Sequence, residues 1–218
     1  MQGAQGWLQH SCHPYLIESE KDNHLVTRVQ GDLAVYRDTP LNLQKNKNVS
    51  MSKAQLKKHL LQLTKEQVID VVLELYDARK EAKEYLDFYI NPNDDIKLEE
   101  YKKIIYNEFY PSRGEPKCRF SVCRKAISDF KKLKPSPSCI ADLMLFYIET
   151  GVNFTVEYGD MWEQYYTALE NNFDKAMEFI YKNGYLEDLR PRIEKMLKNS
   201  ENCGWGFPDT LYDFYYQH

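Results

Sequence analysis

The chain has 218 residues, of which 43% are hydrophobic and 28% are charged, and its formal net charge is −4. This composition is ordinary for a soluble globular protein, and the net charge gives no reason to expect nucleic acid or an acidic membrane as a partner. No apolar run approaches the roughly 20 residues that cross a bilayer, no signal peptide is evident, and five irregularly spaced cysteines predict cytoplasmic thiols.

Residues 1–50 differ from the rest of the chain, because they contain scattered Gly, His and Asn without sustained periodicity. We predict an irregular or disordered extension here, and an all-helical domain over residues 51–218. His10, Cys12 and His13 lie close together in the extension, but a structural zinc site usually shows two close pairs of ligands. We therefore expect neither a metal nor a cofactor.

From Met51 onward, hydrophobic residues recur at helical spacing. Thr64–Gln67 has the pattern of a capping box, which predicts the start of a helix at this point. Further helices are predicted over residues 96–109 and 120–133, and the loop 111–116 separates them. Another long helix follows Asp160, which is able to cap it, and shorter helices are predicted over residues 186–197 and 209–216.

The segment Pro137–Glu149 is apolar on almost every side, which is typical of a helix that other helices surround. Ser136 and Pro137 form a helix-start signal, and Gly151 is a plausible stop. Val152–Gly159 is then expected to be an irregular connection. The predicted fold is all-α, a single domain of about seven or eight helices around this buried central helix.

Several short motifs occur in one order along the chain. They are Lys57–Gln67, Tyr89–Asn93, Phe109–Gly114, Arg119–Val122, Lys125–Ile127, Asp129–Leu133, Ala141–Met144 and Gly204–Gly206. Together they resemble an uncharacterised family of small all-helical bacterial proteins, a domain of unknown function, over about residues 51–216. The resemblance implies a cytoplasmic helical protein with no assigned activity and no known functional residues.

A basic block at residues 111–135 holds eight basic and two acidic residues. Its candidates for binding phosphate or a nucleic-acid backbone are Arg113, Lys117, Arg119, Arg124, Lys125, Lys131 and Lys132. The alternative is that these side chains face water or pair with acidic neighbours, which we favour because charged helix faces are usually solvated.

Two further residues are candidates for lining a pocket. Asp142 lies inside the apolar central helix, where a carboxylate must be paired or have a raised pKa. It is either a catalytic or ligand-binding acid, or the partner of an arginine such as Arg119 or Arg124. Trp205, between two glycines, lines a pocket or plugs one end of the core, and we favour the plug.

Three functions remain open from the sequence. We favour a non-catalytic interaction module whose grooves, rich in Tyr and Phe, bind a protein partner or another copy of the chain. The second is a nucleic-acid or phosphate-binding protein that uses the basic block. The third is an unrecognised enzyme with a site centred on Asp142, although we favour a protein that is not an enzyme. We expect no membrane partner.

Overall fold

The computed structural model describes residues 51–218, and the predicted N-terminal extension lies outside this range. The described part consists of nine α-helices without strands, so the all-α prediction is confirmed. The helices are α1 (Lys53–Leu60), α2 (Lys65–Ala78), α3 (Lys80–Ile90), α4 (Asp94–Phe109), α5 (Phe120–Leu133), α6 (Pro137–Tyr158), α7 (Glu163–Lys182), α8 (Leu186–Ser200) and α9 (Phe207–Tyr216).

The helix starts follow from local chemistry. Thr64 forms the predicted capping box, because its hydroxyl accepts from the Gln67 amide and the Gln67 side chain accepts from the Thr64 amide at 2.8 Å. Asn93 caps α4 in the same way, by accepting from the amide of Ile96 at 3.0 Å. The backbone of Arg79 is extended and separates α2 from α3, which helps to bring the count above the expected seven or eight.

The central helix α6 is longer than predicted. Gly151 does not end it, and the segment expected to be an irregular connection, Val152–Gly159, is helical as far as Tyr158. The reason is packing, since a Cβ atom at Gly151 would lie 2.6 Å from a methyl carbon of Leu169 on α7. The glycine therefore allows two helices to approach closely, and it does not act as a stop signal.

No apolar run was expected to reach the length that crosses a bilayer, but the greater length of α6 changes this expectation. Among the described helices, α6 is the one that is long and apolar enough to cross a membrane, judged by length and composition alone. However, 67% of its most apolar 18-residue window is buried inside the protein. Burial of this extent is what the central helix of a helical core requires.

The core forms around α6. Helices α4, α5, α7 and α8 pack against it, and α9 packs against α7. Large aromatic side chains fill the interior, among them Phe109, Phe130, Tyr147, Tyr165 and Phe173, each fully buried. In contrast, neither α1 nor α2 contributes a buried residue. Helices α1 and α2 therefore lie outside this core; α2 packs against α3, which in turn packs against α5.

Candidate functional site

The basic block does not form one continuous positive surface. Arg119 binds the buried carboxylate of Glu108 with its backbone N–H at 3.2 Å, its Nε at 2.9 Å and its second guanidinium nitrogen at 2.6 Å. The hydrogen bonds from the Arg119 side chain hold the pKa of Glu108 below its ordinary value. Arg119 therefore neutralises a charge within the fold.

Two other members of the block pair on the outer face of α5. Lys125 and Lys132 both form ion pairs with Asp129, the second at 2.7 Å. Arg113 and Lys117 are exposed in the segment between α4 and α5. These four residues, like Arg119, are not brought together in a shared cleft.

Arg124 and Lys131 have a different environment. They line a groove of about 510 Å³ between α5, α6 and α7, and two cations of α7, Lys175 and Lys182, line the same groove. Lys175 and Lys182 are not among the candidates predicted from the sequence. A signal was available, because Arg124 and Lys131 are seven residues apart, as are Lys175 and Lys182, and this spacing places both members of a pair on one helix face.

Asp142 lies in a cluster that joins three helices. Lys102 of α4 approaches its carboxylate at 2.8 Å, and Arg192 of α8 forms a second ion pair with it. Arg192 also donates to Glu149 at 2.7 Å and 2.6 Å. The expected arginine partners, Arg119 and Arg124, are therefore wrong, because the real one is fifty residues away on α8.

The ionisation of Asp142 follows from these contacts. Burial alone would raise the pKa of its carboxyl, but the hydrogen bonds from Lys102 and Arg192 lower that pKa below its ordinary value. A general acid or base near neutral pH needs a pKa shifted toward 7. The geometry thus favours an ion pair that holds helices together over a catalytic acid.

Trp205 does not plug the core. Its side chain is 60% exposed, and its indole N–H donates to the carbonyl oxygen of Met161 at 2.9 Å. Phe207, two residues later, is fully buried against Tyr166 instead. Asp160, expected to cap α7, accepts hydrogen bonds from the Gly204 amide and the Tyr166 hydroxyl. These contacts attach the loop that precedes α9 to the start of α7.

The largest departure from ordinary packing lies on α1, α2 and the turn between them. Seven of the nineteen large apolar side chains that are exposed in the described range fall within this short stretch. They are Leu56, Leu61, Ile69, Val71, Val72, Leu73 and Leu75. We call these seven side chains the α1–α2 apolar surface. A concentration of exposed apolar side chains is typical of interaction sites.

The charges beside this surface are segregated between the two helices. Helix α1 carries three lysines and no carboxylate, whereas α2 carries one lysine and four carboxylates. Their formal charges are therefore +3 and −3. None of the ion pairs between described residues includes a residue of α1 or α2. The complementary charges of α1 and α2 are thus not matched within one copy.

Comparison with known proteins adds a family and nothing more specific. The model of a family of unknown function (DUF6155) matches residues 51–213. No curated protein and no solved structure matches the chain significantly. Across residues 51–218, no group of three or more His, Cys, Asp or Glu side chains is arranged to hold a metal ion.

Proposed function

Since the chain belongs to the DUF6155 family, whose function is unknown, we propose a function from its own residues: it is a non-catalytic helical interaction module. Its helices α1 and α2 pair with the same two helices of a second copy of the chain. The observation that carries this proposal is the exposure of the α1–α2 apolar surface beside two helices of opposite and unmatched charge.

The apolar residues of α2 extend around much of the helix. In a helical projection, the exposed apolar residues of α2 cover an arc of about 200°, with Val71 at one edge and Leu73 at the other. Helix α3 covers one side, where the Tyr76 hydroxyl donates to Asp87 at 2.8 Å and Lys83 lies over the Tyr76 ring. A helix that is apolar on several sides gains stability when those sides are buried. A partner helix would supply this burial.

The charges favour a second copy as that partner. In a two-fold symmetric pair, each surface meets itself, so α1 of one copy is able to lie beside α2 of the other. This arrangement places the +3 helix against the −3 helix twice. Opposite charges around an apolar centre select the partner and its orientation. If α1 and α2 carried the same sign of charge, this surface would repel its own copy.

The other two functions have less support. The cluster around Asp142 is a set of ion pairs between helices, and several cations of the basic block are paired with carboxylates.

The free thiols of Cys118, Cys123, Cys139 and Cys203 support a cytoplasmic location. That location and a bacterial origin stay predictions.

Sedimentation velocity of the full chain tests the proposal. We expect the wild type to sediment at twice its chain mass of 25.9 kDa, and the double variant Ile69→Asp/Leu73→Asp to sediment as a monomer. Val156→Asp is the matched control, because Val156 lies on α6 with an exposure similar to that of Ile69 and Leu73, and it should leave the dimer intact. A wild type that stays monomeric at its highest soluble concentration would contradict the proposal.

A further inference from the structure

The groove between α5, α6 and α7 is a second feature that packing does not explain. Four cations line it, Arg124, Lys131, Lys175 and Lys182, and Glu178 is the one carboxylate among its lining residues. We propose that this groove binds the phosphate group of a small organic molecule. The proposal is independent of the pairing through α1–α2, because the two surfaces share no residue.

The four cations are available to a ligand. Within residues 51–218, none of them forms an ion pair, whereas their neighbours Lys125 and Lys132 both pair with Asp129. Lys131 is half-buried, and burial lowers the pKa of its ammonium. Its nitrogen lies 4.9 Å from the centre of the Phe179 ring. A partly desolvated lysine beside three more cations favours the arrival of an anion.

Tyr147 provides the second, independent observation. Its side chain lines the groove and is fully buried, and its hydroxyl has no hydrogen-bond partner among the described residues. Burial raises the pKa of this hydroxyl, so it stays protonated and able to donate. Arg124 lines the same groove as Tyr147. A phosphate oxygen would satisfy both.

The shape of the groove favours a small molecule over a nucleic-acid strand. Its volume of about 510 Å³ lies within the usual range for small-molecule sites. Ile127, Met144 and Phe179 supply apolar contacts for the organic part of a ligand. A strand would need a longer basic track, but the adjacent lysines of α5, Lys125 and Lys132, are both paired with Asp129.

Isothermal titration calorimetry of the full chain with three probes tests this site. The probes are inorganic pyrophosphate, ATP without magnesium, and a mixed-sequence single-stranded DNA oligomer. We expect ATP to bind more tightly than pyrophosphate, and the DNA oligomer to bind less tightly than ATP. Lys131→Met and Lys175→Met should each weaken ATP binding about tenfold, since each removes a charged hydrogen bond.

Lys132→Met is the matched control, because Lys132 adjoins Lys131 but pairs with Asp129, and it should leave the Kd for ATP unchanged. Tyr147→Phe should weaken ATP binding about tenfold without lowering the melting temperature of the free protein. Failure of both phosphate probes to bind, or an equal loss in Lys132→Met, would overturn the proposal. Tighter binding of the DNA oligomer than of ATP would assign the surface to nucleic acid instead.

Discussion

Arg192 of α8 and Asp142 of α6, fifty residues apart in the sequence, form an ion pair on the side of the core. The same guanidinium also binds Glu149, and Lys102 of α4 completes the cluster at Asp142. Two cations and two carboxylates therefore connect α4, α6 and α8. The cluster gives the central helix polar contacts that hold it at one position along its neighbours.

Replacing Arg192 should destabilise the fold considerably. Among the described residues, Arg192 is the cation that pairs with Glu149, and Arg192→Met removes it. The expected loss in the free energy of unfolding is about 2 kcal/mol, because the cluster is only partly buried. Lys132→Met, which breaks an exposed pair, should lose less than about 0.5 kcal/mol. Urea denaturation of both variants measures the difference, and equal losses would contradict a structural role for the cluster.

The cluster also predicts how stability depends on pH. The folded pKa of Asp142 is lowered from its ordinary value of 3.8, so its contribution is fully present above that value. The contribution is lost as the pH falls through the folded pKa. Asp142→Asn should therefore be less stable than the wild type at neutral pH, and the gap should narrow between about pH 5 and pH 2. A gap that stays constant with pH would show that the charge of Asp142 is not involved.

Gly151 offers a test of the close packing of α6 on α7. The added methyl group of Gly151→Ala meets the fully buried side chain of Leu169. We expect a loss of about 1–3 kcal/mol, measured by thermal or urea unfolding. In Gly151→Ala/Leu169→Ala the methyl group has room, so the double variant should lose less than the sum of the two single variants. Additive losses would contradict the steric explanation.

Glu108 should control the segment that links α4 to α5. Its carboxylate accepts from both the backbone and the side chain of Arg119, and its carbonyl oxygen accepts from the amides of Lys117 and Cys118. Glu108→Gln weakens the first set and leaves the second. Hydrogen exchange should therefore accelerate at the Arg119 amide and change little at the Lys117 amide. Unchanged exchange at Arg119 would show that the carboxylate does not order this segment.

Much of the fold was predictable from the sequence because local signals agreed with packing. Thr64–Gln67 predicted the start of α2, and the apolar stripe of residues 120–133 predicted α5 with the same bounds as the structure. The end of α6 was not predictable in this way. Glycine often follows the last residue of a helix, so Gly151 suggested an end. Only its close approach to Leu169 on another helix explains why α6 continues.

The candidate sites were harder to predict because their partners are distant in the sequence. The sequence indicated that Asp142 needs a cation, but it contains no local signal that selects Arg192 over nearer arginines. Likewise, the seven-residue spacing places Arg124 with Lys131 on one helix face and Lys175 with Lys182 on another, but it does not show that the two faces line one groove. The apolar spacing of α2 predicted a helix but not that its surface is left exposed.

If α1 of one copy lies beside α2 of another, reversing the charges of these helices in two separate chains should abolish the dimer and mixing the chains should restore it. One chain carries Lys57→Glu and Lys58→Glu on α1, and the other carries Asp70→Lys and Glu74→Lys on α2. In each chain alone, the facing helices then have the same sign of charge. In the mixed pair, both contacts again join opposite charges.

The measurement is sedimentation velocity of each variant chain alone and of their equimolar mixture, with wild type as reference. We predict that each variant alone sediments as a monomer, and that the mixture restores the dimer at the mass of two chains. Variants that dimerise alone as well as the wild type does, or a mixture that stays monomeric while the wild type is dimeric, would contradict the pairing of α1 with α2.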